Sequence, residues 1–176
     1  ITMTTKYVLT GSSYSGKTKT LEELGRCGFS TVPEAARMLI DEQLETGGNI
    51  LPWLNIEAFE EVIWKKQVEL EAKIPVEAEI AFIDRGISDQ LAYIKLRGAE
   101  PTPIYKKLFR EHRYDGIFLL ETIPGYKQDK IRREPEEMVR KLRVLHEETY
   151  REMGYEVIIV PVLPVEERAH FILHRI

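Results

Sequence analysis

The amino-acid sequence predicts a three-layer α/β sandwich, in which a five-stranded, mainly parallel sheet carries helices on both faces. Five short apolar runs recur along the chain, and longer stretches with helical periodicity separate them. The runs are almost continuously hydrophobic, as is typical of parallel strands that are covered on both faces. The chain has 176 residues without an internal repeat or a linker, so we expect a single domain over 1–176.

The elements follow one another in a regular order. The five predicted strands lie at 7–10, 29–32, 80–84, 116–120 and 156–160. The predicted helices lie at about 16–26, 34–46, 56–74, 87–97, 102–112, 135–153 and 164–174. Asn55 is a favourable N-cap for the third helix, and Gly98 is a favourable end for the fourth. Pro135 suits the first turn of the sixth helix, where a missing N–H costs nothing.

Two segments fit this plan poorly. The segment 46–55, TGGNILPWLN, joins two helices instead of a helix and a strand. The segment at about 122–137 is long and polar, and it carries charges of both signs. Long polar loops in compact domains are usually functional or disordered. We expect the first segment to cover a substrate site and the second to form a lid.

Charge and composition narrow the class of protein. A net charge of −4 and a pI near 5.7 argue against a nucleic-acid-binding protein. Cys27 is the single cysteine and cannot form an internal disulfide, which favours a reducing compartment. No apolar run approaches the roughly 18 residues that span a bilayer, and the first residues lack a signal-peptide pattern. We therefore expect a cytoplasmic protein with neither a membrane nor a nucleic acid as partner.

The segment 11–18, GSSYSGKT, matches the phosphate-binding pattern G-x-x-x-x-G-K-[ST] and lies between a predicted strand and a predicted helix. Glycines let successive backbone N–H groups converge on phosphate oxygens, and the helix adds its positive N-terminal dipole. Lys17 would contact the β- and γ-phosphates as a catalytic cation, and the Thr18 hydroxyl would bind Mg²⁺. The sequence therefore predicts a P-loop NTPase fold that binds ATP and Mg²⁺ through Gly11, Ser12, Ser13, Tyr14, Ser15, Gly16, Lys17, Thr18 and Lys19.

Asp84 and Arg85 follow the buried strand at 80–84. In open α/β sheets, ligands bind at the carboxyl ends of the strands. An aspartate there typically holds Mg²⁺ directly or through water, so we predict a metal role for Asp84 and a catalytic role for both residues. The alternative is that Asp84 caps the next helix and that Arg85 is a solvated partner.

Glu34 lies at the end of the second predicted strand, and Arg37 follows it at a spacing that places both on one helical face. In a kinase, a carboxylate here could accept the proton of an acceptor hydroxyl. We therefore predict a catalytic role for Glu34. The alternative is a first-turn glutamate that favours the helix dipole and pairs with Arg37.

The predicted lid contains Arg132 and Arg133. Arginines on a mobile loop can close on phosphates and stabilise the charge that spreads in the transition state. This favours a catalytic role for both arginines. The alternative is an ordinary solvated charge run.

Four segments together resemble one family: GSSYSGKT, VPEAAR, FIDRGISDQLAY and RREPEEMVRKLRVLHEETYREMGYEVIIVP. They are similar to small P-loop kinase-like proteins with an AAA-type ATP-binding domain, a group that includes the nicotinamide riboside kinase domain of NAD-biosynthesis regulators. A more distant similarity is to deoxynucleoside and thymidylate kinases. The resemblance spans nearly the whole chain and implies triphosphate and Mg²⁺ binding by residues 11–18. It also implies a general base at Glu34, a pair near metal and phosphates at Asp84 and Arg85, and lid arginines at Arg132 and Arg133. These two are adjacent, whereas deoxynucleoside kinases space their lid arginines apart.

Three functions are compatible with these residues. A kinase would transfer the γ-phosphoryl group of ATP to a hydroxyl of a small-molecule acceptor, such as a nucleoside or nicotinamide riboside. An NTPase would couple hydrolysis to a conformational change and would need no acceptor pocket. A nucleotide sensor would use the same phosphate loop with little turnover. The sequence leaves the oligomeric state open, a homodimer included.

Overall fold

A computed structural model describes residues 3–125 and 134–176. Within these ranges, five strands form one sheet. They are β1 (Thr5–Thr10), β2 (Ser30–Val32), β3 (Ile80–Asp84), β4 (Gly116–Leu120) and β5 (Val157–Val160). The strand order is β2-β3-β1-β4-β5, and each neighbouring pair is parallel. The predicted α/β fold is confirmed, and the mainly parallel sheet is parallel at every described pairing.

The described residues form seven α-helices around this sheet. They are α1 (Lys17–Arg26), α2 (Ala35–Thr46), α3 (Ile56–Glu71), α4 (Asp89–Leu96), α5 (Pro103–Glu111), α6 (Glu136–Glu152) and α7 (Val165–Leu173). Each lies within three residues of its predicted bounds. Asn55 caps α3, because its side chain accepts a hydrogen bond from Ala58 N at 3.1 Å. Pro135 is the N-cap of α6 and has extended backbone angles, so its predicted place in the first helical turn is wrong by one residue.

The two faces of the sheet carry separate apolar cores, because successive residues of a strand point to opposite faces. Val8 and Ile83 belong to the core that includes side chains of α2, α3 and α6. Their neighbours Leu9 and Phe82 belong to the core that includes side chains of α1 and α7. The helices therefore cover the sheet on both faces, as a three-layer sandwich requires.

The two segments predicted to cover the site differ in how far the structure describes them. Residues 47–55 form an irregular connection between α2 and α3, with turns around Leu51 closed by hydrogen bonds from Leu54 N and Asn55 N to Leu51 O. Of the predicted lid at about 122–137, residues 126–133 lie outside the described ranges, so the lid stays a prediction. In the parts of the chain that the structure covers, every helix is too short or too polar to cross a bilayer.

Candidate active site

The phosphate loop and Asp84 meet because their strands are neighbours. β1 and β3 pair in parallel, with Leu9 opposite Asp84. The backbone N–H of Arg85 continues this pairing and donates to Leu9 O at 3.0 Å. The carboxyl ends of two central strands therefore bring the segment 11–18 to the residues that follow β3.

The phosphate loop has a backbone that ordinary side chains would disturb. Gly11, Tyr14 and Gly16 all have positive φ, at 132°, 66° and 76°. A Cβ atom on Gly11 would also lie 2.6 Å from the backbone oxygen of Leu120, which is too close for a non-bonded contact between carbon and oxygen. The glycine at position 11 is thus required by both conformation and space, which suits a loop that folds closely around a phosphate.

Lys17 lies in the centre of this loop and is only 5% exposed. Its Nζ donates to Ser12 O at 2.8 Å, to Ser15 Oγ at 3.2 Å and to Gly11 O at 3.3 Å. Burial lowers the pKa of Lys17 to about 8, and the nearby Arg85 cation acts in the same direction. A bound polyphosphate would supply the negative charge that this buried ammonium group lacks.

Thr18 and Asp84 form a pair that suits a hard metal ion. Thr18 Oγ1 donates to Asp84 Oδ2 at 3.1 Å, while the buried Oδ1 of Asp84 accepts no hydrogen bond from the described residues. Burial raises the pKa of Asp84 to about 6, and the Glu34 carboxylate adds to the rise. A cation at Oδ1 would compensate both the burial and the missing partner.

The donor set fits Mg²⁺ in particular. Within 3–125 and 134–176, no group of three or more His, Cys, Asp or Glu side chains could hold a metal ion. Mg²⁺ needs no such cage, because it commonly takes one or two protein oxygens and completes its shell with phosphates and water. Thr18 and Asp84 are the residues that would hold it.

Glu34 and Arg85 form an ion pair at the same edge of the sheet. Arg85 Nε donates to Glu34 Oε1 at 3.1 Å. Glu34 is the N-cap residue of α2 but makes no capping hydrogen bond with its side chain. Arg37 instead contacts Asp41, at 3.7 Å. Glu34 therefore pairs with Arg85 and not with Arg37, and its catalytic role stays a prediction.

Asp89 accepts several hydrogen bonds at the site, and the sequence did not lead us to predict it there. Its side chain is fully buried, and it accepts hydrogen bonds from Thr10 Oγ1 at 2.5 Å and from Tyr150 OH at 2.6 Å. It also accepts from the Gly86 backbone N–H at 2.9 Å and from Arg85 Nη1 at 3.3 Å. The available signal was its position four residues after Arg85, close enough along the chain for an ion pair.

His146 completes the surroundings of Arg85 and was also missed. Its Nε2 lies 3.2 Å from Arg85 Nη1. Burial, together with the Arg85 cation, lowers the pKa of His146 well below its usual range. A neutral imidazole can accept from Arg85 at Nε2 when its proton is on Nδ1. Nδ1 lies 3.3 Å from Asp89 Oδ1 without the geometry of a hydrogen bond.

A cavity of about 530 Å³ opens beside Lys17, Glu34 and Arg85. Its walls come from α2, the 47–55 connection, α3 and α4, and they are mostly apolar: Ile40, Trp53, Ile56, Phe59, Ile63 and Tyr93. Its polar lining includes Arg37, Gln90 and an ion pair between Arg97 and Glu60 at 2.6 Å. Such a cavity is large enough for a drug-sized ligand. The predicted cover segment contributes Pro52 and Trp53 to it.

The structure brings most of the predicted site residues together, and their roles remain predictions. Lys17, Thr18, Glu34, Asp84 and Arg85 surround one region at the carboxyl edge of the sheet. Lys19 lies on the exposed side of α1, where its side chain pairs with Glu22 at 3.2 Å. Arg132 and Arg133 lie outside the described residues.

Three solved structures share this fold at low sequence identity. A NadR protein in complex with NAD and AMP-PNP is 20% identical, with a TM-score of 0.75 over 98% of this chain and 49% of that chain. Thymidylate kinase from Ehrlichia chaffeensis is 12% identical, with a TM-score of 0.71 over 98% of both chains. Shikimate kinase from Acinetobacter baumannii in complex with shikimate is 18% identical, with a TM-score of 0.61 over 99% of this chain and 93% of that chain.

These comparisons establish the fold as that of P-loop kinases. The chain spans about half the length of the NadR protein that it matches. No curated protein matched the chain's sequence. The model of the AAA domain family matches residues 6–168, which is most of the chain and includes the phosphate loop, Glu34, Asp84 and Asp89. The chain therefore belongs to the AAA domain family.

Proposed function

We propose that this protein is an ATP–Mg²⁺-dependent kinase that phosphorylates a hydroxyl of a small molecule. One observation carries the proposal: the 530 Å³ cavity opens directly beside Lys17 and is lined at that point by Glu34 and Arg85. A P-loop protein that only hydrolyses ATP needs room for one water molecule. A large apolar cavity beside the phosphate loop instead suits a second organic substrate.

ATP would lie with its phosphates in the 11–18 loop. The loop N–H groups and Lys17 would hold the β- and γ-phosphates, and Thr18 and Asp84 would hold Mg²⁺. The metal ion, when bound, neutralises negative charge on the phosphates. Thr18 and Asp84 already lie in contact before ATP arrives, and Lys17 would exchange its contacts with Ser12 O and Ser15 Oγ for phosphate oxygens.

Glu34 would act as the general base. The acceptor hydroxyl gives its proton to Glu34 as its oxygen forms a bond to the γ-phosphorus, and the bond between that phosphorus and the β–γ bridging oxygen breaks. ADP leaves with the electron pair of that bond. Arg85, paired with Glu34, would hold the carboxylate toward the acceptor and face the transferring phosphoryl group.

The charges of the cavity favour an acceptor that arrives without a phosphate. Arg85 is already paired with Glu34 and Asp89, and Arg97 is paired with Glu60. To bind an acceptor phosphate, each of these two arginines would have to give up a carboxylate. Arg37, the third arginine among the described lining residues, would have to leave Asp41, which lies 3.7 Å away. A neutral or cationic molecule of nucleoside size avoids that cost, and the resemblance to nicotinamide riboside kinases points to the same class.

The second candidate is a regulatory ATP hydrolase. The phosphate loop contacts both segments that flank residues 126–133: Ser12 Oγ lies 2.6 Å from Thr122 Oγ1, and Ser13 Oγ donates to Glu134 Oε1 at 3.0 Å. These contacts could transmit the state of the nucleotide to the rest of the molecule. Membership of the AAA domain family is compatible with this function as well.

The deciding experiment measures ADP release with ATP–Mg²⁺ alone, and then with nucleosides, nicotinamide riboside and nucleoside monophosphates. Mass spectrometry identifies any phosphorylated product. We expect an unphosphorylated nucleoside-like compound to stimulate ADP release and to appear as its phosphate. ADP release that no acceptor stimulates, with inorganic phosphate as the product, would support the hydrolase instead.

A further inference from the structure

We propose that Asp89 is a positioning residue that holds the Arg85 guanidinium, and that it thereby keeps Glu34 directed at the acceptor. The inference deepens the proposed kinase function and rests on it for its catalytic consequence. Its structural part, that Asp89 and not Glu34 determines the orientation of Arg85, stands on the geometry of the site alone.

Asp89 connects parts of the molecule that lie far apart in the sequence. Thr10, whose hydroxyl binds Asp89 Oδ1, is the last residue of β1 before the phosphate loop. The Gly86 N–H, which binds Oδ2, belongs to the connection between β3 and α4. Tyr150, which also binds Oδ2, belongs to α6. Both carboxylate oxygens are therefore occupied by donors from three different elements.

Arg85 requires such an anchor more than an ordinary arginine does. It has a backbone φ of 65°, which is unfavourable for a residue with a side chain, and it directly follows Asp84. The guanidinium group is planar and rigid, so fixing one nitrogen also fixes the direction of the others. Nη1 donates to Asp89 Oδ1 at 3.3 Å and lies 3.2 Å from His146 Nε2, while Nε donates to Glu34. Asp89 supplies the negative charge at Nη1.

The burial of the charged groups also supports a positioning role for Asp89 and a proton-accepting role for Glu34. Arg85 is 5% exposed, so its cation needs a counter-ion inside the protein. Asp89 is fully buried and lies 3.3 Å from Arg85 Nη1, which makes it the enclosed counter-ion. Glu34 is more exposed, with 22% of its side chain accessible, and it lines the cavity. Because Asp89 already balances Arg85, Glu34 stays available as a proton acceptor.

A purely structural carboxylate would behave differently from a positioning one. Tyr150→Phe removes one hydrogen bond from Asp89 Oδ2 and leaves Oδ1, the oxygen that contacts Arg85, unchanged. Asp89→Asn keeps the shape of the side chain but removes the charge that balances Arg85. If Asp89 served the fold only, the two variants would lose stability and leave Arg85 in place.

The first readout needs no substrate. The Nη1–H signal of Arg85 in ¹⁵N–¹H NMR spectra, assigned by its loss in Arg85→Lys, reports whether the guanidinium is held, because Nη1 is the nitrogen that donates to Asp89. We expect a slowly exchanging signal in the wild type, in Tyr150→Phe and in Glu34→Gln, and rapid exchange in Asp89→Asn. Loss of protection in Glu34→Gln, or retention in Asp89→Asn, would overturn the proposal. If Asp89→Asn fails to fold, the Arg85 signal in Glu34→Gln still tests whether Glu34 determines the orientation of the guanidinium.

The second readout is kinetic and uses the acceptor that the panel identifies. Asp89→Asn should lower kcat by about 100-fold and leave the KM for ATP nearly unchanged, because a small misplacement of catalytic groups costs that much. Tyr150→Phe should retain kcat. An equal kcat loss in both variants would mean that Asp89 acts through the fold. If the wild type phosphorylates no acceptor, the kinase proposal fails, and the Arg85 signal still decides the positioning role.

Discussion

Glu34 and Asp84 are both acidic residues at the ends of neighbouring strands, yet their surroundings prepare them for different tasks. Asp84 is 1% exposed, and its Oδ2 accepts a hydrogen bond from Thr18 of the phosphate loop. Its buried Oδ1 accepts no hydrogen bond from the described residues. Glu34 lies at the edge of the cavity and contacts Arg85. Environment can therefore divide two carboxylates between metal binding and proton transfer.

This division gives a prediction for Glu34. Glu34→Gln removes the proposed proton acceptor but keeps the size of the side chain, so kcat should fall by about 10²–10⁴-fold while ATP binding stays nearly intact. Steady-state kinetics and titration with a non-hydrolysable ATP analogue measure the two effects. Asp41→Asn is the matched control, because it removes one carboxylate from the same helix at an exposed position outside the cavity lining. A fully active Glu34→Gln enzyme would exclude Glu34 as the base.

At the level of elements, the conformation of the phosphate loop depends on β4, a strand that pairs with β1. β4 is the neighbour of β1, and its last residue, Leu120, places a backbone oxygen against Gly11. The loop cannot move away from this oxygen without disturbing the β1–β4 pairing. Gly28, at the end of the α1 region, also has a positive φ but has no atom within 4 Å of a Cβ built on it.

A comparison of alanine variants at the two glycines therefore separates the effect of backbone strain from the effect of a steric clash. Gly28→Ala should cost about 1–3 kcal/mol of unfolding free energy through backbone strain and leave ATP binding intact. Gly11→Ala adds a contact of 2.6 Å with a backbone atom, so we expect a larger loss of stability and the loss of ATP binding. Chemical denaturation and nucleotide titration check both variants. Equal behaviour of the two alanines would mean that the loop relaxes around the added methyl group.

At the scale of the whole molecule, the sequence predicts best what local pattern determines. The P-loop spacing and the apolar strand ending in Asp84 identify their part of the site, because each needs only a few neighbouring residues. His146, which contacts Arg85, and Tyr150, which contacts Asp89, could not be predicted in this way. His146 and Tyr150 reach Asp89 from α6 only because α4 and α6 pack together, and the sequence separation of Tyr150 from Asp89 is 61 residues. The strand order, with β1 between β3 and β4, also depends on packing that no local pattern reveals.

The buried network around Asp89 should make the stability of the whole protein depend on pH through His146. Burial and Arg85 hold the pKa of His146 well below its usual value of 6.5, so the folded protein keeps this imidazole neutral. The unfolded chain binds a proton at His146 as the pH falls below about 6.5, and the state that binds more protons gains stability there. The free energy of unfolding should therefore decrease on acidification, by about 1 kcal/mol for the first pH unit below that value.

Urea denaturation of the wild type and of His146→Gln at several pH values between about 5.5 and 7.5 isolates this contribution, because other titrating groups act on both proteins alike. A glutamine carbonyl can still accept the hydrogen bond from Arg85, so the variant keeps the contact and loses only the titration. As the pH falls, the free energy of unfolding should decrease less in His146→Gln than in the wild type. Parallel curves would mean that His146 takes up a proton in the folded protein as readily as in the unfolded chain.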